Sequence, residues 1–348
     1  MSKPAPTDTF HFAPISQLEP ERIEQFAREV WPGEGDRKNV LESWWMTTSA
    51  DVATAAVETA TGRIAGLCVG VPSEWDIDRK TVSAASICNW YVSPEFMGRG
   101  VGKKLVRSFT ERAPYMNAFS VSAAAIKNFL KLGWSGPFRS MLLLLPLPLL
   151  SGALWRPQPG LSVATFRTRG TTIPPALSAM LDQIDCERPS GTLRRRRRSS
   201  DWRRHLAYFP DRVFDIHIVC RDSHPIGYFA LRRADRYAGR IYRLARLSYV
   251  SDMAINDLRP DAVRFMLGAI AAAPAVRSAG AVLLCTTDAQ IAEEAVRSGW
   301  LSEKSPLIGS RLEEKAPLYM KGDGFKDGGL ANRDLQLTFF DSDVDLNV

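Results

Sequence analysis

The chain has 348 residues, which is enough for about two domains of ordinary size. Its hydrophobic content of 45% and charged content of 24% are typical of a folded globular protein and argue against disorder along the whole chain. Forty-five Lys and Arg against 38 Asp and Glu leave a net charge of +7, which suits an anionic ligand without selecting one.

The five cysteines are widely spaced and form no C-x-x-C pair, so they predict neither a disulfide framework nor a metal site. Reduced thiols and a start without a basic-then-apolar run lead us to expect a cytoplasmic protein. The most apolar stretch, 141–154, is too short and too rich in proline to span a membrane. It predicts a strand at the end of a domain core instead.

The first half alternates between helical and strand periodicity. The predicted helices are 19–30, 103–112 and 123–132. The predicted strands are 53–61, 63–72, 81–93, 117–122 and 138–145, of which the first two form a hairpin across Thr61-Gly62.

The second half follows a proline- and glycine-rich linker around 149–160 and repeats the scheme. Its predicted strands are 215–220, 226–232, 246–255 and 281–286, and its predicted helices are 262–273 and 290–297. Both halves end a helix on Gly-Trp, at Gly133-Trp134 and Gly299-Trp300. We therefore predict an internal duplication, with domains at 1–150 and 160–320 and a tail at 321–348.

One segment combines the end of a strand, a glycine-rich turn and the start of a helix. Gly98, Gly100 and Gly102 carry no Cβ, so the backbone amides of this turn can approach a ligand closely. The first amides of a helix have no intrahelical acceptor and lie at the positive end of its dipole. The turn is therefore a candidate phosphate or pyrophosphate site, and a plain glycine-rich turn is the alternative. The nearby basic side chains, expected to add mobile positive charge, are Arg99, Lys103 and Lys104.

Other phosphate-binding loops fit less well. The nucleoside-triphosphate pattern G-x-x-x-x-G-K-[ST] is absent from the sequence. The dinucleotide pattern G-x-G-x-x-G would place its third glycine at position 103 or 105, where the chain has Lys103 and Leu105.

The pattern V-x-P-E-F-x-G-R-G-V-G-x-x-L at 92–105 resembles the acyl-CoA pyrophosphate loop of the GCN5-related N-acetyltransferase (GNAT) superfamily. The pattern A-A-I-K-x-F-x-K-L-G-W at 124–134 is similar to the late helix and turn of that superfamily. The resemblance covers about the first 145 residues. It implies a mixed-sheet α/β fold of the acyl-CoA N-acyltransferase type, with the second half as a degenerate tandem copy.

The resemblance also implies how the co-substrate acetyl-CoA is held. Backbone amides of the glycine turn would bind the pyrophosphate, and the backbone of 90–92 would pair with the pantetheine arm and polarise the thioester carbonyl. The residues expected to bind acetyl-CoA are Trp90, Tyr91, Val92, Gly98, Arg99, Gly100, Val101, Gly102 and Lys103. Met97 replaces a Gln or Arg common in the family, at a contact made largely through backbone.

Catalysis is where the chain departs from the family. A tyrosine that often protonates the leaving thiolate is replaced by Phe129, which has no proton to donate. Ser122 and Tyr91 are candidate substitutes, and Asn89 is expected either to orient a water or to serve as a buried structural residue.

Acidic side chains follow the third apolar run, near the expected acceptor groove. One of them could accept the amine proton, although a solvated loop is the expected structure for this stretch. These side chains are Glu74, Asp76 and Asp78.

Arg194 to Arg198 form an unbroken run of five arginines in a segment flanked by serine, glycine and proline. We expect a solvated loop, with phosphate or nucleic-acid binding as alternatives. Only Trp202 supplies an interleaved aromatic ring, which disfavours nucleic acid. The second-half stretch that matches the glycine turn, 256–261, has no glycine and two acids, so it predicts no second pyrophosphate site.

The resulting hypothesis is an N-acetyltransferase that moves an acetyl group from acetyl-CoA directly to a small amine. An amino sugar, an amino acid, a polyamine and a protein lysine all remain open as acceptors. The main alternative is a non-catalytic acyl-CoA-binding or scaffold protein, and the second is a nucleic-acid-associated protein. The sequence does not predict an oligomeric state.

Overall fold

Two mixed β-sheets flanked by helices form the framework of the protein. The computed structural model describes residues 9–31, 33, 53–77, 80–111, 113–118, 121, 123–138, 140–146, 155, 157–170, 172–188, 193–208, 213–233, 247–277, 279–302, 305, 318–322, 325 and 335–337. None of the helices in these ranges is both long enough and apolar enough to cross a membrane.

The first half contributes seven strands and three α-helices within the described ranges. The strands are β1 (Phe10–Pro14), β2 (Ala53–Glu58), β3 (Ile64–Ile77), β4 (Lys80–Val92), β5 (Tyr115–Ala118), β6 (Ser135–Phe138) and β7 (Met141–Pro146). The helices are α1 (Pro20–Val30), α2 (Val101–Thr110) and α3 (Ala123–Lys131). Short 3-10 turns lie at Ile15–Gln17 and Pro94–Phe96.

The second half contributes the remaining elements. Its strands are β8 (Leu161–Arg169), β9 (Leu193–Arg195), β10 (Val213–Arg221), β11 (His224–Arg233), β12 (Leu247–Ile255), β13 (Ala281–Thr286), β14 (Leu318–Lys321) and β15 (Leu335–Gln336). Its helices are α4 (Pro175–Cys186), α5 (Ser199–Tyr208), α6 (Pro260–Ala272), α7 (Pro274–Arg277) and α8 (Ala289–Arg297).

The predicted helices are confirmed in both halves, and so is the predicted β2–β3 hairpin; β10 and β11 also pair antiparallel as a hairpin. Helix α2 shows why: Leu105, Val106 and Phe109 recur at helical spacing and are all buried. A Cβ added at Gly70 of β3 would lie 2.9 Å from the Phe109 ring, so glycine at this position lets the helix pack closely on the sheet.

Both sheets repeat one strand order. In the first, β1, β2, β3 and β4 are antiparallel neighbours, and β5 follows in parallel with β4. In the second, β8, β10, β11 and β12 are antiparallel neighbours, and β13 follows in parallel with β12. The repeated order is consistent with the predicted tandem copies.

Each sheet is completed by a strand from the other half of the chain. Strand β14, near the end of the chain, pairs antiparallel with β5 and also with β6 in the first sheet. Strand β7, from the first half, pairs antiparallel with β13 in the second sheet. The strand predicted at 138–145 is therefore two strands in two sheets. The domain limits 1–150 and 160–320 stay a prediction, because strands cross them in both directions.

A shared core lies where the two halves meet. It contains buried side chains from the β3–β4 hairpin, β7, β9, β12, β13 and β14. They include Trp75, Leu144, Leu193, Tyr249, Leu283, Leu318 and Met320. Trp75, Leu193, Leu318 and Met320 are completely inaccessible to solvent, so the two halves form one continuous packed structure.

The expectation of a solvated loop for the arginine run is wrong. Arg194 and Arg195 belong to β9, which pairs antiparallel with Asp76 and Trp75 of β3. Together with Arg197, both are buried. A buried guanidinium needs charged or polar partners, and here those partners come from distant parts of the chain.

The acidic side chains after the third apolar run provide some of these partners. Glu74 and Asp76 lie on β3 rather than in the expected loop, and Asp78 lies outside the described residues. Asp76 is 3.5 Å from Arg194, and Glu74 is 3.2 Å from Arg196. The two acids therefore join β9 to the β3–β4 hairpin, which leaves them engaged rather than free to act as bases.

Arg197 forms the most buried ion pair of the described residues. Its Nε atom lies 2.7 Å from Asp252, and the exposed fractions of the two side chains are 1% and 0%. The Tyr228 hydroxyl donates a hydrogen bond to the same carboxylate. This network fixes the arginine run against the centre of the second sheet.

We expect Asp252→Asn to lower the free energy of unfolding by about 3 kcal/mol, because it leaves the buried Arg197 charge uncompensated. Asp215→Asn removes a similar pair, with Arg167 at 2.8 Å, but the Arg167 side chain is 72% exposed. That control should cost less than about 1 kcal/mol. Urea unfolding of both variants measures the difference, and equal losses would contradict the role given to Asp252.

Candidate functional site

The glycine turn has the backbone geometry of an anion site. Gly98 and Gly100 adopt φ values of +80° and +79°, in the left-handed region that favours glycine. Gly100 is the N-cap of α2, and the Lys104 amide donates to its carbonyl at 3.2 Å. The amides of Val101, Gly102 and Lys103 precede that bond and so point out of the helix at its positive end.

A groove of about 600 Å³ opens beside this turn. Among the described residues, its charged lining residues are Lys103 and Lys131, and none is an acid. The remaining lining residues are Trp90, Val92, Phe96, Met97, Gly98, Gly100, Val101, Gly102, Ala125, Asn128 and Leu132. The groove thus brings together seven of the nine residues predicted to bind acetyl-CoA and leaves out Tyr91 and Arg99.

Arg99 does not provide mobile charge to the groove. Its guanidinium lies 3.0 Å from the Glu58 carboxylate. The guanidinium carbon also lies over the rings of Phe10 and Phe96, at 4.9 and 5.0 Å from the ring centroids. Its amide donates to the Phe96 carbonyl at 3.3 Å. Sequence reasoning missed Glu58, which is 41 residues away and carries no motif.

Aromatic rings form the floor of the groove. The Trp90 ring packs so closely under α2 that a Cβ at Gly102 would lie 2.9 Å from it. Phe129 meets Trp90 and Trp134 edge-to-face, with centroid distances of 5.2 and 4.4 Å. The side chains that line the groove include no hydroxyl, carboxyl or imidazole group. Among the described lining residues, only the ammonium groups of Lys103 and Lys131 are charged proton donors.

Strand β4 has an open edge next to the groove. Residues Ala84 to Ser86 of β4 pair with β5. Beyond Ser86, this edge of β4 has no strand partner in the described part of the chain. The register with β3 shifts between Val69 and Gly70, which makes Cys88 an extra, bulged residue on β4 at the same point. Strands β4 and β5 therefore separate at the point where the bulge bends β4.

The direction of the β4 amides follows from one hydrogen bond. The Ser93 amide donates to the Ala65 carbonyl on the β3 side at 3.0 Å. Because successive amides alternate between the two edges of a strand, those of Val92 and Trp90 point to the opposite, open edge. Two backbone donors are thus available where β4 leaves β5.

Asn89 and Tyr91 lie on the other face of β4. Tyr91 packs with α1 and Trp31, whose ring centroid is 4.5 Å away. Its hydroxyl donates to Asn89 Oδ1 at 3.3 Å. Neither side chain lines the groove, so both could meet a groove-bound ligand only through the open edge. Ser122, the third candidate catalytic residue, lies outside the described residues.

Paired charges occupy the matching position in the second half, at the start of α6. Hydrogen bonds from Arg259, supported by Arg221 at 2.9 Å, lower the pKa of Asp257 to about 2 and keep it charged at the start of α6. Gln290 of α8 donates a hydrogen bond to the Leu258 carbonyl, which joins α8 to the loop before α6. The two acids at the start of α6 already pair with Arg221 and Arg259, and 256–261 contains no glycine, so the described residues form no anion site like that of the first half.

The register also identifies the counterpart of Asn89. A shift between Ala230 and Leu231 makes Ser251 the bulged residue of β12, as Cys88 is in β4. Asp252 therefore occupies the position of Asn89, and Arg197 fills the space in front of it. No group of three or more His, Cys, Asp or Glu side chains in the described ranges could hold a metal ion.

Comparison with known proteins agrees with this architecture. A sequence profile described as "Acetyltransferase (GNAT) family" matches residues 17–134. A search of curated protein sequences gives no match.

Solved structures with a similar fold span most of the chain. The GCN5-related N-acetyltransferase from Anabaena variabilis has a TM-score of 0.55 and 13% identity, covering 89% of this chain and 72% of the other. That from Kribbella flavida has a TM-score of 0.50 and 14% identity, covering 90% and 69%. N-myristoyltransferase from Saccharomyces cerevisiae, solved with myristoyl-CoA, has a TM-score of 0.51 and 11% identity, covering 92% and 85%.

At these identities the similarity concerns the fold, while the profile match includes the groove-forming turn and α3. Residues 17–134 therefore match the acetyltransferase (GNAT) family, and the chain as a whole shares the fold of solved N-acyltransferases.

Proposed function

We propose that the protein is an N-acetyltransferase that moves an acetyl group from acetyl-CoA to an amine by direct transfer. The observation that carries this proposal is the groove itself. Outward-pointing amides of Val101, Gly102 and Lys103 lie in a space lined by two lysines and no acid, next to the open edge of β4. The match of residues 17–134 to the GNAT family supports acyl transfer in general.

The fit to CoA follows from charge and space. The amides at the start of α2 suit a pyrophosphate, and the ammonium groups of Lys103 and Lys131 add attraction for a polyanion. A Cβ at Gly98 or Gly100 would meet nothing within 4 Å, so the turn faces open space on the ligand side. The pantetheine arm would follow the open edge of β4 and bond to the Trp90 and Val92 amides.

CoA would supply an acyl thioester as the reactive group. The amine nitrogen forms a bond to the thioester carbonyl carbon, and the carbon–sulfur bond breaks as the tetrahedral centre collapses. The Trp90 and Val92 amides would stabilise the negative charge that develops on the carbonyl oxygen. Holding both reactants at this edge supplies much of the rate enhancement without covalent chemistry from the protein.

Two protons remain to be placed. The attacking amine loses one to water or a carboxylate, and the departing thiolate gains one. Phe129 cannot supply the second proton, whereas the Tyr91 hydroxyl, bonded to Asn89 on the other face of β4, could do so through the open edge. Tyr91, Asn89 and Ser122 are therefore the proposed catalytic residues, with water as the alternative donor.

A specific observation favours one second candidate, a non-catalytic acyl-CoA-binding protein. The described side chains that line the groove include no hydroxyl group, and Phe129 is buried where the family often has tyrosine. The nucleic-acid alternative loses support, because Arg194, Arg195 and Arg197 are buried in ion pairs and packing. The cytoplasmic location stays a prediction.

Titration calorimetry with CoA and a thiol-release assay test the proposal. We expect one CoA per chain, since 256–261 lacks the glycine turn of the first half, and thiol release from acetyl-CoA with at least one amine. The panel would contain an amino sugar, an amino acid, a polyamine and a lysine peptide. Absence of CoA binding would refute both candidates, and binding without thiol release for any amine would favour the non-catalytic one.

Phe129→Tyr provides an internal check on the proton donor. We expect CoA affinity to stay within about twofold, because the ring keeps its packing against Trp90 and Trp134. If thiol release then rises, protonation limits the natural chain. An unchanged rate would indicate that water or Tyr91 already performs this step.

A further inference from the structure

The β2–β3 turn, residues 58–63, contacts the glycine turn at two points. Arg99 of the glycine turn pairs with Glu58 at 3.0 Å, and Glu95, just before that turn, pairs with Arg63 at 2.5 Å. The two pairs have opposite polarity, since the β2–β3 turn contributes the acid of one pair and the base of the other. None of Glu58, Arg63, Glu95 and Arg99 lines the groove.

Glu58 and Arg99 each make further contacts that restrict their side chains. The Thr61 hydroxyl donates to Glu58 at 2.8 Å and, with Arg99, lowers the pKa of its carboxyl group. The side chain of Glu58 is only 15% exposed. The Arg99 guanidinium lies over the rings of Phe10 and Phe96, which are both buried. Planar stacking and ion pairing together restrict the orientation of Arg99.

We propose that Glu58 and Arg99 are positioning residues that hold the glycine turn in its CoA-binding conformation. The inference rests on the proposed function and adds to it a distant determinant of CoA affinity. Gly98 and Gly100 are conformationally permissive, so the turn needs outside contacts to keep its amides convergent. The β2–β3 turn provides these contacts, because Glu58 binds Arg99 and Arg63 binds Glu95.

Electrostatics and positioning predict opposite signs for one substitution. Glu58→Gln removes a negative charge near a polyanion, which by field effect alone would strengthen CoA binding. If the pair positions the turn, the same change weakens binding by about fivefold, the size expected for coupled contacting residues. Arg99→Met, which retains a flexible side chain against the two rings, should weaken it similarly.

Calorimetry with CoA on the full chain would compare Glu58→Gln, Arg99→Met and the double variant. We expect the double variant to bind no more weakly than the weaker single variant, and Arg99→Lys to recover part of the loss. Glu111→Gln, which removes an exposed acid at the other end of α2, should leave the affinity within about twofold. Equal or tighter binding by Glu58→Gln, or full additivity, would overturn the inference.

Hydrogen exchange separates failure of this inference from failure of the proposed function. In the ligand-free protein, amides 98–103 should exchange faster in Glu58→Gln and Arg99→Met than in Glu111→Gln. If the natural chain bound no CoA, the proposed function would fail, but the exchange rates would still show whether the Glu58–Arg99 pair orders the glycine turn. Unchanged exchange in the two variants would overturn the positioning role.

Discussion

Gly100→Asp should lower the affinity for CoA by at least about 100-fold, since like charges brought together at an interface cost several kcal/mol. The new side chain has room, because nothing lies within 4 Å of a Cβ at this position. Its carboxylate would enter the groove next to the outward-pointing amides of α2 and compete with the pyrophosphate for them. Calorimetry with CoA measures the loss.

Gly100→Asn is the matched control. Asn and Asp tolerate the left-handed backbone at φ +79° about equally, and they differ mainly in charge. The asparagine variant should therefore bind CoA at least about tenfold more tightly than the aspartate variant. Normal CoA binding by Gly100→Asp would show that the pyrophosphate does not lie at this turn.

The fragment 1–150 should not fold by itself. It lacks β14, whose residues Leu318, Tyr319 and Met320 are almost completely buried between β5 and β6. It also exposes β7, which in the full chain pairs with β13 and is buried over most of its length. Unpaired edges and exposed leucines favour aggregation over a native state.

Solubility, circular dichroism and thermal unfolding of that fragment provide the measurement. We expect the full chain to unfold cooperatively and the fragment to show no cooperative transition. Co-expression with 151–348 should restore a soluble complex that binds CoA, because both exchanged strands are then present. A fragment 1–150 that unfolds cooperatively and binds CoA would contradict the shared core.

Local patterns predicted the parts of the fold that depend on local physics. The glycine turn and α2 follow from residue spacing, and the structure gives both their expected form. The sequence also contains enough information to predict which side chains of β4 share a face. Side chains alternate along a strand, so Trp90 and Val92 share one face while Asn89 and Tyr91 share the other. The sequence prediction grouped Trp90, Tyr91 and Val92 without applying this alternation.

The arginine run could not be predicted in the same way. A series of arginines resembles a solvated segment unless acids from other elements offset the cost of burial. Those acids are Asp76 on β3 and Asp252 on β12, and nothing near position 194 indicates them. The exchange of β7 and β14 has the same origin, since hydrophobic periodicity identifies a strand but not its neighbour.

The reciprocal strand exchange has a consequence for biosynthesis. Met320 pairs with Asn117. Strand β5 therefore lacks its β14 partner until roughly 200 further residues have been synthesised, which takes about 10 to 40 s at ordinary translation rates. During that interval the nascent chain carries an uncovered sheet edge, which is a target for chaperones and a site for mispairing. Pairings this distant in sequence also slow folding after release from the ribosome. Protein yield in the cell should accordingly depend on chaperone supply more than equilibrium stability alone would indicate.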